Sequence, residues 1–227
     1  IVREDHGGNS YKDTQYKLED FHSLDIIQEL SNIIEATGEK LEGNCLFEVN
    51  NKLHKENKEP LRKNLFNLAK QSNSVLEIGF NGGHSAALYF YSNPDIKLLA
   101  FDICVHTYTE KCADYLNTVY PFEFVIGDSG KTVKEYPKDI KYDLIHIDGG
   151  HGAAALRSDV INCCDFAHNN TIIVIDDAYW ADIPSVIDEF LDTDTLEEVD
   201  YSALNLEITK FHRCFSVKNH KYLHATV

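Results

Sequence analysis

Three acidic side chains follow two apolar segments of the chain. Asp148 ends the segment 142–148, whereas Asp176 ends the segment 171–176 and is followed directly by Asp177. If both segments are neighbouring strands, the three carboxylates converge, and they would repel one another unless a cation neutralised them. Because oxygen ligands alone favour a hard cation, the spacing predicts a Mg²⁺ site formed by these three residues. The alternative is that one acid of the pair caps the next helix.

A glycine-containing turn follows an earlier apolar segment, 75–79. The sequence from Glu77 to Ser85 has the pattern E-x-G-x-x-x-G-x-S. Glycine lets the backbone turn tightly and approach a ligand closely, and a helix that begins there offers free N–H groups. The pattern therefore favours a cofactor-binding turn over an ordinary strand-to-helix turn. The candidate residues are Glu77, Gly79, Gly83 and Ser85.

Polar residues also lie at the ends of the next two apolar segments. Asp102 comes 19 residues after Gly83 and ends the segment 98–102. A carboxylate at this position can accept hydrogen bonds from both ribose hydroxyls of a nucleoside cofactor. Asp128 and Ser129 follow the segment after that. The alternatives are a solvated loop aspartate at the first position and a simple turn at the second.

The order of the apolar segments indicates strands that alternate with helices. Strands are predicted at 75–79, 98–102, 122–127, 142–148 and 171–176, and two more near 196–201 and 214–217. Helices are predicted at 85–91, 108–120, 131–136, 153–167 and 183–191. This alternation is typical of a mostly parallel sheet that helices cover on both faces, with ligands outside the carboxyl ends of the strands. The sequence thus predicts an α/β fold: a doubly wound, mostly parallel, seven-stranded Rossmann-like sheet with an N-terminal helical segment.

The N-terminal quarter of the chain has a different pattern. Residues 1–20 are polar and typical of a flexible arm, whereas apolar residues recur at helical spacing over 21–34. Residues 39–60 are mixed and predict a loop with a short helix. We therefore divide the chain into an N-terminal arm with helices, 1–60, and a second domain, 61–227. The first part is a candidate lid, or a candidate contact in a homo-oligomer through its amphipathic helix.

The composition argues against several classes of protein. With 43% hydrophobic residues and a net charge of −16, the chain is not disordered and does not suit nucleic acids or anionic membranes. No run of about 18 apolar residues is present, so no transmembrane helix is expected. The six cysteines include no C-x-x-C pair, which favours free thiols in the cytoplasm. Because the sequence starts at Ile1 and contains no methionine, we expect a trimmed product or a piece of a longer protein.

The glycine turn and the two strands that end in acids resemble known enzymes. The pattern from Glu77 to Ser85 is similar to motif I of the class I S-adenosylmethionine-dependent methyltransferases. The segments 142–151 and 172–177 resemble the metal-dependent O-methyltransferases, both the catechol type and the type that acts on antibiotic sugars. In those enzymes an aspartate after the fourth strand and an Asp-Asp or Asp-Asn pair after the fifth bind the metal. The resemblance spans residues 60 to about 220.

The resemblance implies a role for each candidate residue. Asp128 and Ser129 would line the adenine of the cofactor, and Asp148 would serve the reaction as a metal ligand. The family has a base three residues after that aspartate, lysine in the catechol type and histidine in the sugar type, and this position is His151. A histidine with an ordinary pKa near 6.5 can take the proton of a hydroxyl that a metal has acidified. A loop histidine without a chemical role is the alternative.

These implications favour a methyltransferase that uses S-adenosylmethionine and Mg²⁺ to methylate a hydroxyl of a small molecule. A sugar or polyol is favoured over a catechol because of His151. Three alternatives stay open: a metal-independent methyltransferase, a cofactor-binding module without catalysis, and an NAD-dependent dehydrogenase. Against the dehydrogenase stands Asn81, which replaces the middle glycine of the dinucleotide fingerprint.

Four further side chains lie near these motifs, and the sequence alone does not assign their roles. Tyr179 and Trp180 follow the acid pair and are candidates for a wall of the substrate pocket or for mere packing. His146 lies within the fourth predicted strand and is expected to be a core histidine or a neighbour of the metal ligands. His84 lies in the glycine turn, where we expect an exposed position.

Overall fold

A computed structural model describes residues 15–48, 52–53 and 58–218. Most of the expected flexible arm, residues 1–14, lies outside these described residues. The end of that arm forms a short helix, α1 (Leu18–His22), and the amphipathic segment forms α2 (Asp25–Thr37). Helix α2 ends at Gly38, whose φ of +72° is the left-handed conformation that glycine adopts most easily at a helix end.

A short antiparallel hairpin follows, in a segment where a loop and a short helix were predicted. It consists of β1 (Phe47–Glu48) and β2 (Lys52–Leu53). Periodicity could not reveal strands of two residues each, because alternation needs at least four residues to be recognised. Helix α3 (Glu59–Gln71) then begins with Pro60 in its first turn, where the missing N–H of proline costs no hydrogen bond.

Seven strands form the central sheet of the described residues. They are β3 (Ser74–Ile78), β4 (Lys97–Asp102), β5 (Glu123–Ile126), β6 (Tyr142–Ile147), β7 (Ala167–Asp176), β8 (Leu196–Glu198) and β9 (His212–Val217). Their order in the sheet is β5-β4-β3-β6-β7-β9-β8. The first five are parallel, and β9 is antiparallel to both β7 and β8. The predicted mostly parallel, seven-stranded sheet is confirmed.

Helices cover both faces of this sheet. Besides α3 they are α4 (His84–Ser92), α5 (Thr107–Val119), α6 (Ser129–Glu135), α7 (Ala153–Cys164) and α8 (Ile183–Asp192). Successive residues of β4 point to opposite faces, as the pleat requires. Leu98 and Ala100 pack with α2 to α5, whereas Leu99 and Phe101 pack with α6 to α8. The sheet therefore separates two apolar cores.

The N-terminal helices belong to the first of these cores. Ile27, Leu30 and Ile34 of α2 are fully buried, and α2 packs on α4 and α5. The apolar face of α2, which suggested an oligomer contact, is thus covered within the chain itself. Among the described residues, no helix is both long and apolar enough to cross a membrane.

Three predicted boundaries in the last third of the chain differ from the structure by three residues or more. The helix predicted at 153–167 ends at Cys164, and β7 begins at Ala167, four residues before its predicted start. Ala167 already pairs with Tyr142 of β6, but the next residues of β7 are polar and partly exposed, so they lack the apolar pattern of a buried strand. The strand predicted near 196–201 is limited to Leu196–Glu198.

The strand order places the ligand crevice. The chain runs outward from β3 through β4 to β5 and then returns to β6 on the other side of β3. The connections therefore leave the sheet in opposite directions between β3 and β6, and a crevice opens above their carboxyl ends. Glu77 of β3 lies opposite His146 of β6. The glycine turn, which follows β3, therefore lies beside Asp148, which follows β6.

Candidate active site

A cavity of about 520 Å³ lies above the carboxyl ends of the parallel strands. Four of the predicted cofactor residues line it, namely Gly79, Asp102, Asp128 and Ser129. All the predicted metal and catalytic residues line it as well. The structure therefore brings the candidate cofactor site and the candidate acid cluster into one cavity.

The glycine turn is shaped by its contact with the next strand. Gly79 has a φ of +93°, and a Cβ added there would lie 1.9 Å from the carbonyl oxygen of Asp148. Only glycine fits between these two strand ends. Gly83 begins α4 with a φ of +77°, and a Cβ on it would lie 2.7 Å from Cζ of Phe80. Gly83 and Ser85 thus shape the turn and its helix without lining the cavity.

The predicted cofactor residue Glu77 is likewise buried below the cavity instead of lining it. Its Oε1 accepts a hydrogen bond of 3.0 Å from the hydroxyl of Tyr89, and Nδ1 of His146 lies 2.7 Å from the same hydroxyl. The sequence did not identify Tyr89 or His146 as a partner of Glu77. Tyr89 could not be recognised because it reads as an ordinary core residue of α4.

Asp102 links the glycine turn to the end of β4. Its Oδ2 accepts a hydrogen bond of 2.8 Å from the backbone N–H of Asn81, and its Oδ1 accepts one of 2.7 Å from that of Cys104. Each carboxylate oxygen keeps a second lone pair. The side chain is therefore held in place at the cavity and can still accept hydrogen bonds from two ligand hydroxyls.

Asp128 and Ser129 begin helix α6 at the other side of Asp102. Oδ1 of Asp128 accepts a hydrogen bond of 3.0 Å from the backbone N–H of Gly130 and so caps the helix. Burial raises the pKa of the neighbouring Asp159 to about 6, although a hydrogen bond from Ser129 works against this shift. The turn is thus part of a helix N-terminus that also faces the cavity.

The acid cluster consists of two overlapping groups of side chains. Potential ligand atoms of His146, Asp148 and Asp176 all lie within 4.8 Å of one another, and so do those of Asp148, His151 and Asp177. Asp148 belongs to both groups, whereas Asp176 and Asp177 belong to different ones. Burial raises the pKa of Asp148, and the charges of the other two acids raise it further. Burial also raises the pKa of Asp176.

His151 forms an ion pair with Asp177. Nε2 of His151 lies 3.0 Å from Oδ2 of Asp177. This hydrogen bond raises the pKa of His151 above 6.5, although partial burial opposes the shift. Burial works to raise the pKa of Asp177, but the hydrogen bond and the charge of His151 hold it below the usual range.

Lys58 is a functional candidate that sequence reasoning missed. It lines the cavity, and its ammonium group lies 5.1 Å from the centre of the Phe211 ring. Burial works to lower its pKa, but the charges of Asp176, Asp148 and Asp177 keep it raised. In the sequence Lys58 lies within a run of alternating lysines and glutamates, which gave no sign that this one turns inward.

Other expectations near the site have mixed outcomes. His84 is 1% exposed, not exposed as expected, and its ring packs edge-on against Phe47, with 5.0 Å between ring centres. Tyr179 and Trp180 do not line the cavity. Trp180 is 50% exposed, and its ring centre lies 6.4 Å from that of His151.

Comparison with known proteins agrees with this geometry. Residues 76–178 match the model of a family described as a methyltransferase domain. This range contains every site residue predicted from the sequence. A comparison with curated proteins gave no match.

Solved structures share the fold at low sequence identity. One is cofactor-bound Rv0187 from MTB, with 15% identity over 91% of this chain and 100% of that one and a TM-score of 0.60. A second is the O-methyltransferase TomG from Streptomyces achromogenes in complex with SAM, with 12% identity over 88% and 95% of the chains and a TM-score of 0.58. A third is the SAH-bound methyltransferase PaMTH1 from Podospora anserina, with 14% identity over 86% and 89% and a TM-score of 0.57. Residues 76–178 are therefore similar to a methyltransferase domain, and the chain has the fold of the class I S-adenosylmethionine-dependent methyltransferases.

Proposed function

We propose that this protein transfers the methyl group of S-adenosylmethionine to a hydroxyl oxygen of a small molecule, with a divalent cation at the acid cluster. The observation that carries the proposal is the single cavity in which Asp102 and the acid cluster meet. A nucleoside bound through Asp102 would place its substituents toward Asp148 and its neighbours. TomG, which has the same fold, is an O-methyltransferase that binds SAM.

Each side chain of the site has a defined task in this reaction. Asp102 orients the cofactor through its ribose, and Asp148, Asp176 and Asp177 provide ligands for the cation. A bound cation lowers the pKa of a hydroxyl that it contacts. His151 accepts the proton of that hydroxyl while the carbon–sulfur bond breaks and the carbon–oxygen bond forms. The remaining contribution of the protein is to hold the acceptor oxygen about 3–3.5 Å from the methyl group.

The donor set partly fits the cation. Three buried or half-buried carboxylates lie close together, and burial raises the pKa of two of them, so their ionised forms are unfavourable without a positive partner. A divalent cation supplies this partner. We keep Mg²⁺ as the first expectation for the ion, and a sugar or polyol as the expected acceptor, because a histidine at position 151 is typical of the sugar-modifying type.

A metal-independent methyltransferase is the second candidate, and Lys58 favours it. The ammonium group of Lys58 already interacts with all three acids of the cluster. It could neutralise part of their charge without any metal. Two results would together support this candidate. Methyl transfer should continue in the presence of a chelator, and it should be lost when Lys58 is replaced.

The N-terminal part of the chain is proposed to close the cofactor site. Glu42 and Asn44 line the cavity from outside the sheet. Oε2 of Glu42 lies 3.2 Å from Nε2 of His106, and the backbone N–H of Glu42 donates a hydrogen bond of 3.3 Å to the hydroxyl of Tyr108. The segment after α2 is thereby attached to the start of α5. A homo-oligomer, the absence of nucleic acid as a partner and a cytoplasmic location stay predictions.

Calorimetric titration tests the proposed function. S-adenosylmethionine and S-adenosylhomocysteine are titrated with and without Mg²⁺ into the intact chain and into Asp102→Ala. We expect binding to the intact chain and clearly weaker binding to the variant. A folded protein that binds neither compound would contradict the proposal.

A further inference from the structure

A histidine side chain points toward the acid cluster from below. His146 comes two residues before Asp148, a spacing that places both side chains on the same side of an extended chain. A ring nitrogen of His146 lies within 4.8 Å of carboxylate oxygens of Asp148 and Asp176. The residue is 1% exposed. One imidazole therefore accompanies two carboxylates at this point of the cavity.

The hydrogen bonds of Nδ1 identify the tautomer of His146. The hydroxyl of Tyr89 lies 3.0 Å from Oε1 of Glu77 and 2.7 Å from Nδ1 of His146, and Nδ1 lies 3.5 Å from Oε1. Tyr89 has one proton to donate. If Tyr89 donated it to Nδ1, the buried carboxylate of Glu77 would lose this donor, which is unfavourable. The hydroxyl therefore donates to Glu77, and Nδ1 carries a proton that it donates to the Tyr89 oxygen.

This tautomer leaves Nε2 with a free lone pair. Nε2 of His146 is buried, and no described residue offers it a hydrogen bond. Oδ1 of Asp176 is also buried without such a partner, since Nδ1 of His212 lies 4.0 Å from it. With the His146 ring neutral, its Nε2 and Oδ1 of Asp176 are both acceptors, so neither can satisfy the other. A cation satisfies both of them at once.

We propose that His146 is a metal ligand through Nε2, together with Asp148 and Asp176, and that the site prefers a first-row transition-metal dication to Mg²⁺. Imidazole nitrogen suits metals such as Fe²⁺, Ni²⁺ and Zn²⁺, whereas Mg²⁺ favours oxygen ligands alone. Metal-bound histidines commonly donate their other N–H to a carboxylate or a group bonded to one. Tyr89 and Glu77 supply this arrangement. The inference rests on the proposed function, because it uses the same acid cluster, and it replaces the oxygen-only ligand set expected from the sequence.

Pulsed electron paramagnetic resonance of bound Mn²⁺ tests the ligand directly. The intact, folded chain is produced with ¹⁵N-labelled histidine, loaded with Mn²⁺ and compared with unlabelled protein. We expect echo modulation from a directly bound nitrogen that changes with the label. Mn²⁺ that binds without any nitrogen modulation would overturn the proposal, and this result requires no variant to fold.

Variants then assign the nitrogen. His146→Gln should remove the modulation and weaken Mn²⁺ binding by at least about tenfold. The matched control is His168→Gln. His168 does not line the cavity, and its Nε2 lies 2.9 Å from Oδ1 of Asp143. It should change neither quantity. Tyr89→Phe should keep the nitrogen modulation but bind Mn²⁺ more weakly, since it removes only the hydroxyl that lies against Nδ1 of His146. Modulation that persists in folded His146→Gln would overturn the proposal.

Two further measurements separate this inference from the proposed function. The intact chain should bind Mn²⁺ and Co²⁺ at least about tenfold more tightly than Mg²⁺, because Mg²⁺ gains little from imidazole. Equal affinities would overturn the metal preference. S-adenosylhomocysteine is titrated into the same proteins. If S-adenosylhomocysteine binds while Mn²⁺ shows no nitrogen ligand, the methyltransferase proposal stands and only the role of His146 fails. If S-adenosylhomocysteine does not bind, the proposed function fails independently of the metal result.

Discussion

Nε2 of His151 lies 3.0 Å from Oδ2 of Asp177, at the mouth of the acid cluster. The proposed base is therefore paired with a residue that the sequence assigned to the metal. Asp177 and Asp176 belong to different groups around Asp148: a ligand atom of Asp176 lies near one of His146, and one of Asp177 near one of His151. We therefore propose that the two acids have different tasks, and that Asp177 influences the charge of His151.

The first prediction concerns the protonation of His151. The hydrogen bond that Nε2 of His151 donates to Asp177 is the largest cause of the raised pKa of His151, so Asp177→Asn should lower this pKa. In the native protein the ring therefore keeps its proton to a higher pH than a free imidazole does, and it becomes a competent base only above that pH. Histidine NMR titration of the metal-free protein measures both values, and His151→Gln assigns the resonance. An unchanged pKa in the variant would show that Asp177 does not control the base.

The second prediction concerns cofactor binding through Asp102. Asp102→Ala removes the candidate ribose acceptor and the partner of two backbone N–H groups. We expect binding of S-adenosylhomocysteine to weaken by about 2 kcal/mol or more, because hydrogen bonds to a charged group contribute about 1.5–3 kcal/mol each. Asp114→Ala, at an exposed position of α5, is the matched control and should bind normally. Equal affinity of both variants in calorimetry would remove Asp102 from the cofactor site.

The third prediction concerns the close approach at Gly79. Gly79→Ala combines an unfavourable φ with a clash against the Asp148 carbonyl, so it should lower the free energy of unfolding by about 2–5 kcal/mol. Gly43→Ala is the control, because a Cβ there meets no atom within 4 Å and the residue has no positive φ. Its stability should be unchanged or slightly higher. Denaturant titration compares the two, and similar stabilities would contradict the contact.

The fourth prediction concerns the acid sensitivity of the fold. Burial lowers the pKa of His84 from 6.5 to about 3, so the unfolded chain takes up a proton that the folded chain refuses. The contribution of the neutral His84 ring to the free energy of unfolding is therefore complete above pH 6.5 and is lost as the pH falls toward about 3. From about pH 7.5 to about 5.5, His84 should account for a loss of about 1.4 kcal/mol. Over the same pH range, the free energy of unfolding of His84→Leu should fall by about 1.4 kcal/mol less than that of the intact chain, as measured by denaturant titration. An identical fall in both proteins would refute the role of His84.

The fifth prediction concerns the competition between Lys58 and a metal. Because the ammonium group of Lys58 interacts with the three acids, Lys58→Met should strengthen Mg²⁺ binding about tenfold, or about 1.4 kcal/mol. Lys210→Met is the control: Lys210 lies 5.2 Å from the centre of the same Phe211 ring but does not line the cavity. Calorimetry with Mg²⁺ measures both. Weaker binding in Lys58→Met would show that Lys58 supports the ion.

The sequence by itself determined the fold class and the strand ends where the chemistry gathers. Apolar segments that alternate with helical ones allow few arrangements other than a mostly parallel sheet, and acids or glycines at their ends must meet at one edge. This is why Gly79, Asp102 and Asp148 could be predicted to share a site. Local order along the chain carries this information.

Only the tertiary structure decided which side chains act as partners. Lys58 lines the same cavity as the acids, and the hydroxyl of Tyr89 lies 2.7 Å from Nδ1 of His146, although 57 residues separate Tyr89 from His146. Such contacts depend on how helices pack on the sheet and on which atoms lose water there. Burial and hydrogen bonding between distant segments leave no periodic pattern in the sequence, so they emerge only when the chain is folded.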